Sequence, residues 1–211
     1  MAVVRKSNGR DPARTRGSIL ASATAEFARY GLGGARVDRI AERAGANKRM
    51  LYYYFGDKDG LFLAALEARY AHIRNAERTL RLEHLDPRGA VRRLVGFTWK
   101  YFLDHPEFMT LLNSENLHQG RHVRRSRRVR EMHSHLVAML GDVLRRGERQ
   151  GLFRKGVDPV QLYISIAGEG YFYLSNRYTL SRIFGRDLMA PRALAGRARH
   201  ISDMILNALR R

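Results

Sequence analysis

Cysteine is absent from this chain of 211 residues, and acidic side chains are only about half as numerous as basic ones. Without thiols, neither a disulfide framework nor a thiolate metal site can form. No apolar run approaches the roughly 18 residues that span a bilayer, and the charged N-terminus lacks a hydrophobic signal core. We therefore expect a cytoplasmic protein with no membrane segment and with no metal or cofactor.

Signatures of catalysis are missing as well. The sequence contains no Walker loop, no HExxH zinc motif, no glycine-rich dinucleotide turn and no nucleophile elbow. His133 and His135 are two residues apart, so on a helix they point to different faces and do not form a chelating pair. The chain is therefore predicted not to be an enzyme.

Positive charge is what the chain has in excess. Its formal net charge is +19 and its pI is about 11.1, which suits a polyanionic partner. Residues 1–56 hold 11 basic and 4 acidic side chains, whereas residues 57–120 hold 9 of each. The first excess includes a basic N-terminal arm, residues 1–11, with Arg5, Lys6 and Arg10. Such an arm either follows DNA phosphates or a minor groove, or is a solubilising tail.

Apolar residues recur at helical spacing along the chain, and no segment alternates convincingly with the period of a strand. Asp11, Asp86 and Asp158 each precede a proline, a combination typical of a helix N-terminus. The sequence therefore predicts an all-α fold of about nine helices. Among them are a long helix over residues 121–150 and two last helices over residues 160–178 and 192–210.

One stretch, residues 37–55, carries a specific motif. An apolar helical face over residues 37–44 stops at Gly45, where a left-handed C-cap is usual. Asn47 is a favoured N-cap residue for a second short helix over residues 48–55. Two short helices joined by a tight turn containing glycine are typical of a helix-turn-helix, whose second helix enters the DNA major groove.

The segment Gly31–Leu61 resembles the DNA-binding signature of the TetR family of bacterial transcriptional regulators. The matching residues are the IAERAG run at Ile40–Gly45, the LYYYF run at Leu51–Phe55 and the DKDGL run over residues 57–61. The resemblance implies an N-terminal three-helix DNA-binding domain with the helix-turn-helix, and a C-terminal helical bundle for ligand binding and dimerisation.

This resemblance also implies roles for individual residues. Tyr52 and Lys58 are expected to hold phosphates, and Tyr54, where the family often has histidine, is within reach of the DNA backbone. For Met50, packing on a thymine methyl and folding back into the core are equally open. The residues expected to face base edges are Lys48, Arg49, Met50 and Tyr53.

Three positions depart from the family's pattern, and all three are counted among the predicted DNA-binding residues. Arg36 occupies a position usually held by threonine, so it weakens the expected cap of the first motif helix. Asn47 replaces a usual serine and keeps the capping role. Arg49 stands where a small residue is common, so it either adds a base contact or changes how deeply the helix seats.

The predicted division places the DNA-binding domain at residues 12–57 and the effector-binding and dimerisation domain at residues 58–211. In the family the last two helices of each subunit usually form a four-helix dimer interface, and ordinary intrachain core is the alternative. The residues expected at the interface are Ile164, Gly168, Tyr171 and Ser175 on one helix, and Ile201, Ile205 and Leu209 on the other.

An unknown small-molecule effector is the second partner that the resemblance implies. Glu169 is conspicuous because a carboxylate within an apolar helix needs a partner, which a cationic ligand, an arginine of this chain or solvent would provide. Aromatic residues at helical spacing fit core packing equally well. The candidate ligand-binding residues are Trp99, Phe102, Phe108, Met109, Asn113, Glu115, Glu169 and Tyr173.

Residues 121–130, RHVRRSRRVR, contain six arginines in ten positions. They form either an additional patch for DNA or an anionic ligand, or the solvated first turns of the predicted long helix.

Together these features predict a sequence-specific DNA-binding transcriptional regulator. It is expected to act as a homodimeric repressor on a palindromic operator in double-stranded DNA, and an effector is expected to release it. The alternatives are a sequence-nonspecific nucleic-acid-binding protein, a transcriptional activator of the same family, and a helical carrier of small molecules.

Overall fold

The computed structural model describes residues 11–211, and apart from one isolated bridge between Phe153 and Arg210 their regular structure is helical. The all-α prediction is confirmed. No helix within this described range is both long and apolar enough to cross a bilayer. Nearly all of the predicted basic arm, including Arg5, Lys6 and Arg10, lies outside the described residues. In chain order the helices are α1 (Pro12–Gly34), α2 (Val37–Ala44), α3 (Lys48–Phe55), α4 (Lys58–Arg78), α5 (Pro87–Asp104), α6 (Pro106–Leu117), α7 (Arg127–Arg149), α8 (Pro159–Ser175), α9 (Arg177–Phe184) and α10 (Pro191–Leu209).

Aspartates cap three of the helices that begin at a proline. The side chains of Asp11, Asp86 and Asp158 each accept a hydrogen bond, at 2.7–2.9 Å, from a backbone N–H two or three residues later. The proline that follows each of them has no N–H to leave unsatisfied and has a φ suited to a helix. All three predicted helix starts are therefore confirmed.

Two helix boundaries differ from the predicted ones. The long helix expected over residues 121–150 begins only at Arg127, because residues 121–126 form a loop with one 3₁₀ turn. The helix expected over residues 160–178 ends at Ser175, and a separate helix, α9, follows it. Residue Asn176 has φ −103° and ψ 10°, a non-helical backbone that breaks the continuity. This extra helix is one reason why the described residues hold ten α-helices rather than nine.

The chain packs into two compact units that do not follow chain order. The first unit comprises residues 11–68 and 110–126, and the second unit comprises residues 69–109 and 127–211. The predicted domain boundary after residue 57 remains a prediction about function. As packing, the first unit also takes in the start of α4 and residues 110–126.

The first unit is built around one apolar cluster from α1 to α4 and from α6. The edge of the Phe27 ring meets Phe62, with centroids 5.1 Å apart. Burying these side chains on a common core fixes α2 and α3 relative to α1. The buried members include Ile19, Ala23, Phe27, Ile40, Ala41, Leu51, Leu61, Phe62, Leu66 and Leu111.

In the second unit α5 packs against α7, α8 and α10. Ile201, Ile205 and Leu209 of α10 are buried within the chain's own core, at 1–5% exposure. They were expected to supply half of a dimer interface, and that expectation is wrong. The apolar stripe of α10 serves intrachain packing, which was the alternative interpretation of the same pattern.

Candidate nucleic-acid interface

The helix-turn-helix forms as the sequence predicts. Helix α2 ends at Gly45, whose φ of 61° and ψ of 31° lie in the left-handed region that glycine adopts without strain. The side chain of Asn47 then accepts a hydrogen bond from the backbone N–H of Met50 (2.9 Å) and caps α3. Asn47 was expected among the DNA-binding residues, and its side-chain oxygen caps α3. Helix α3 is called the reading helix below, because it is the second helix of the helix-turn-helix.

Helix α3 has one face in the core. Leu51 is buried, and Met50, Tyr54 and Phe55 are partly buried and pack against the apolar cluster. For Met50 the structure thus favours the core over a thymine methyl. Tyr54 also spends part of its surface on packing, which leaves it less available to the DNA backbone than its neighbours.

The opposite face of α3 presents cations and phenol rings to solvent. Tyr53 is 83% exposed and Tyr52 is 48% exposed, and the Tyr53 ring meets that of Tyr54 with centroids 5.2 Å apart. Lys48 and Arg49 are exposed beside them, and Lys48 forms an ion pair with Asp38 of α2. This surface combines guanidinium and ammonium donors with ring faces, as readers of base edges and phosphates do.

The start of α4 lies directly after α3. Asp57 accepts a hydrogen bond from the backbone N–H of Gly60 (2.6 Å) and so caps the helix. Lys58, the predicted phosphate contact, donates from Nζ to the carbonyl oxygen of Gly33 (3.4 Å). Because this bond is long and solvent-exposed, Lys58 is free to exchange it for a phosphate oxygen at little cost.

The N-terminus of α2 is capped by Glu26 of α1, a residue that the sequence did not suggest for this role. Arg36 is exposed, makes no side-chain cap and pairs loosely with Asp38 (3.8 Å). Instead the buried carboxylate of Glu26 in α1 accepts a hydrogen bond from the backbone N–H of Arg36 (3.1 Å). The same oxygen accepts one from Nε of Arg39 (2.6 Å). A side chain from another helix therefore supplies the cap.

Glu26 is fully buried and carries its charge there. Burial alone would raise its pKa, but the hydrogen bonds from Arg39 and the Arg36 amide, with the charges of Arg39 and Arg43, lower the pKa below its usual value. Glu26 is not among the site residues that the sequence predicts. A signal was present, because Glu26 stands seven residues after Ile19 on the apolar face of α1, where an acid requires a buried partner.

The aromatic residues expected to wall an effector cavity are tightly packed in the second unit. The rings of Phe102 and Phe108 lie 6.2 Å apart, and a Cβ on Gly170 of α8 would come within 3.2 Å of Phe102. This close approach leaves little room for a ligand between α5 and α8. The four expected wall residues, Trp99, Phe102, Phe108 and Met109, are all at most 6% exposed.

The polar residues expected around that cavity have other partners. Glu115 and Asn113 belong to the first unit, where the carboxylate of Glu115 accepts the backbone N–H groups of His122 and Val123 (both 2.8 Å). Glu115 is therefore a structural residue of a buried turn. Asn113 also has a partner within the chain.

Glu169 forms an ion pair with Arg197 of α10, so an arginine of this chain provides the partner that the sequence required. Tyr173 donates a hydrogen bond to the carbonyl oxygen of Leu188 (2.8 Å) and packs against Trp99. Both residues are thus satisfied within the chain, and neither points to a ligand.

Three other residues form a polar group inside the second unit. Arg74 and Glu77 of α4 are 3% and 1% exposed and lie 3.1 Å apart, and Arg74 also donates to the hydroxyl of Tyr163 (2.7 Å). Nε and Nη1 of Arg74 and both carboxylate oxygens of Glu77 are buried without a well-directed hydrogen bond. The pair lines a crevice too narrow for a water molecule, together with Arg78, Met132, His135, Leu136 and Met139.

Comparison with known proteins identifies the family. Residues 19–65 match the model of bacterial regulatory proteins of the tetR family, and residues 87–205 match that of the tetracyclin repressor-like C-terminal domain. The chain is 44% identical to the HTH-type transcriptional repressor NicS of Pseudomonas putida, over 94% of this chain and 93% of that protein. It is 39% identical to the HTH-type transcriptional repressor SCO4008 of Streptomyces coelicolor, over 53% of this chain and 54% of that protein.

Solved structures share the fold. A putative TetR-family regulator from Mesorhizobium loti superposes with a TM-score of 0.71 at 19% identity, covering 95% of this chain and 98% of that one. The putative transcriptional regulator SCO4942 from Streptomyces coelicolor superposes with a TM-score of 0.69 at 24% identity, covering 92% and 98%. With a helix-turn-helix that presents Lys48, Arg49, Tyr52 and Tyr53, the chain belongs to the TetR family of DNA-binding transcriptional regulators.

Proposed function

We propose that this protein is a transcriptional repressor that binds a palindromic operator as a homodimer and is released from it by a small-molecule effector. The observation that carries the proposal is the outward face of α3, where two cations and two tyrosines stand on a helix fixed by its caps and its core. Relatives named as repressors, among them the NicS protein, favour repression over activation.

The exposed residues divide by the contact that each suits. Arg49 has a planar guanidinium that can donate two hydrogen bonds to O6 and N7 of guanine, which makes it the strongest candidate for reading a base. Lys58, at the start of α4, suits a phosphate because an ammonium is a point charge without directional preference. Tyr52 fits the phosphate role, and Lys48 and Tyr53 fit the groove.

Two single substitutions separate these roles. Arg49→Ala should relax base preference at one position of each half-site, because a bidentate contact discriminates by about 1–3 kcal/mol. Lys58→Ala should weaken binding to every sequence by a similar factor, because phosphate contacts carry no sequence information. Enrichment of bound duplexes from a random pool, followed by binding measurements at fixed salt, gives both quantities.

The same experiment tests the proposal against a sequence-nonspecific binder. A repressor must retain one preferred duplex when random DNA is in excess, whereas a nonspecific protein distributes over all of it. A selection that yields no preferred site would overturn the proposed function. An unchanged preference in the Arg49 variant would remove only Arg49 from the reading set.

The homodimer is proposed to form on the outer face of α8. Ile164 is 54% exposed, and Val160 and Phe172 are exposed on the same helix. Gly168 lies between them, and nothing occupies the space beside its Cα, so a second helix can approach closely. With the α10 stripe buried in the core, these exposed residues of α8 offer an apolar surface that a two-fold partner would cover.

The effector is proposed to bind at the polar group of Arg74, Glu77 and Tyr163, where the crevice beside Arg74 and Glu77 has no room for a water molecule and must open to admit it. Arg74 and Glu77 form an ion pair, but four of their buried polar atoms lack a well-directed hydrogen bond, which costs free energy that a ligand supplying those bonds recovers. A small polar molecule with both acceptor and donor groups would match the guanidinium and the carboxyl. Its release of DNA requires only unequal affinity for the two conformations of the dimer.

This polar group has a measurable signature in pH. Burial, which outweighs the attraction of Arg74, raises the pKa of Glu77 to about 7 from an ordinary 4.5. The folded state therefore holds this proton more tightly than the unfolded state, and the stability that the proton contributes is lost as pH rises towards 7. Glutamine at this position resembles the protonated acid at every pH.

We therefore expect the stability of Glu77→Gln relative to the natural chain to rise by about 2–3 kcal/mol between pH 5 and pH 8. Urea unfolding followed by the fluorescence of Trp99, which lies in the same unit, measures this difference. The exposed Glu131 provides the control, since Glu131→Gln should show no such pH-dependent gain. A constant offset between the Glu77 variant and the natural chain would contradict the expectation.

A further inference from the structure

The loop over residues 121–126, here called the arginine loop, is firmly attached to the first unit. His122 is 2% exposed, its ring meets the ring of Phe62 with centroids 4.9 Å apart, and its Nδ1 lies 2.5 Å from Oε2 of Glu115. Ser126 donates a hydrogen bond to Glu67 of α4 (2.6 Å) at the other end of the loop. The arginines between these anchors are therefore held on a defined surface.

The arginine loop lies at the first turn of α4. Nη2 of Arg121 donates a hydrogen bond to Oδ2 of Asp59 (2.9 Å), and Asp59 is the residue directly after Lys58. Only Gly56 and Asp57 separate that turn from the end of the reading helix. The loop thus begins beside the end of the helix-turn-helix that is proposed to meet phosphate and ends at Glu67, about two turns farther along α4, with Arg124 and Arg125 between these two anchors.

Two arginines of the loop have no acidic neighbour. Arg124 and Arg125 are exposed, and neither forms an ion pair or side-chain hydrogen bond with any residue of the described range. Arg121 pairs with Asp59 of α4 and partly offsets the negative charge of that carboxylate. Adjacent guanidinium groups repel each other, and a bridging anion relieves that repulsion.

We propose that Arg124 and Arg125 form a second phosphate-binding surface that contacts the DNA backbone in addition to the helix-turn-helix. This inference rests on the proposed operator binding. It assigns to the first half of the arginine-rich segment a role in affinity and not in base recognition, because phosphate contacts carry no sequence information.

Salt dependence tests the proposal directly. Each phosphate contact that is lost lowers the slope of log K against log salt by about 0.9. For Arg124→Ala/Arg125→Ala we expect that reduction for each contact, and binding at least about ten-fold weaker at low salt, with the preferred duplex unchanged. The measurement uses the full chain and the duplex selected by the natural protein, titrated at several salt concentrations.

Two control variants make the result specific. Arg92→Ala/Arg93→Ala removes the same charge from exposed positions of α5 in the second unit and should leave the slope unchanged. Arg124→Lys/Arg125→Lys keeps the charge and should restore the slope of the natural protein.

Three results would overturn the inference. The first is a salt-dependence slope in Arg124→Ala/Arg125→Ala equal to that of the natural protein. The second is an equal reduction of the slope in the α5 control variant, which would mean that net charge alone is responsible. The third is a failure of the double lysine variant to restore binding. The first would also result if the loop serves an anionic small molecule or an acidic protein. If the natural protein selects no duplex at all, the proposed operator binding fails instead, and the two failures are therefore distinguishable.

Discussion

Replacing Glu26 with alanine is expected to lower the stability of the first unit by about 1–3 kcal/mol, the usual cost of leaving a buried hydrogen-bonding group without its partner. Without the carboxylate, the amide of Arg36 loses its acceptor, and the partly exposed guanidinium of Arg39 loses its acidic partner but keeps its hydrogen bond to the carbonyl oxygen of Gly34. Arg43, 3.7 Å from the same carboxylate, loses its nearest opposite charge. The cap of α2 and its attachment to α1 are therefore lost together.

The measurement must report on the first unit by itself. Trp99 is the single tryptophan and belongs to the second unit, so its fluorescence follows the wrong part of the chain. Hydrogen exchange of peptides from α1 and α2, read by mass spectrometry, gives the local free energy of opening. Glu26→Ala should raise exchange in both helices by about one to two orders of magnitude.

A matched control is available in the same unit. Glu42 is exposed on α2, and Glu42→Ala should change opening free energies by less than about 0.5 kcal/mol. If Glu26→Ala costs no more than Glu42→Ala, the buried carboxylate does not secure α2. Operator binding should fall with the loss of protection, because α3 is oriented only through the helices that it packs on.

The helix-turn-helix could be predicted from the sequence because its determinants are local. Gly45 and Asn47 set the backbone through their own side chains or the lack of one, and Leu51 sits at the helical spacing that points it inward. These three signals lie within twenty residues of one another, and all of them indicate the same pair of helices. The same holds for the helix starts at Asp11, Asp86 and Asp158, which depend on one side chain and the proline after it.

Where a residue's role depends on distant partners, the sequence was ambiguous or misleading. The stripe of Ile201, Ile205 and Leu209 looks the same whether it faces a second subunit or the chain's own α5 and α8. The aromatic set around Trp99 likewise fits a packed core or a cavity wall. Only the packing distinguishes these alternatives, because a helical repeat of apolar residues predicts that a face is buried but not which part of the molecule covers it.

Charged residues on apolar stripes are the signal that deserved more weight. Glu26 follows Ile19 at a spacing of seven, and Glu77 follows Ile73 at a spacing of four, so both lie on faces that enter a core. Burial of an acid is costly unless it is paired, so such positions mark designed networks. Glu26 fixes α2 to α1 in the helix-turn-helix unit, and Glu77 lies at the proposed effector site.

Gly60→Ala is expected to disrupt the junction between the reading helix and α4. A Cβ at this position would overlap the carbonyl oxygen of Phe55, the last residue of α3, and lie 3.4 Å from the carboxylate of Asp57. The obstacle is backbone and not a flexible side chain, so either α3 or the first turn of α4 must move. Overpacking of this kind typically costs about 1–3 kcal/mol, and a backbone clash lies at the upper end.

The effect on DNA binding should exceed the effect on stability. Phe55 and Lys58 are three residues apart, so a shift that frees room for a methyl group changes the position of Lys58 relative to the tyrosines of α3. Misplaced contacts lose free energy on both half-sites of a symmetric operator, so we expect operator affinity to fall by at least about one hundred-fold. Titration of the selected duplex measures this loss.

The control is a glycine with open space around it. No atom lies within 4 Å of a Cβ built on Gly17 of α1, so Gly17→Ala should stabilise the first unit by about 0.5–1 kcal/mol, because alanine loses less backbone entropy in a helix. Hydrogen exchange of α1 and α3 peptides compares the two variants. If Gly60→Ala gave the same gain in protection, the carbonyl of Phe55 would not be fixed where it lies, and the junction would not set the distance between the reading helix and its phosphate contact.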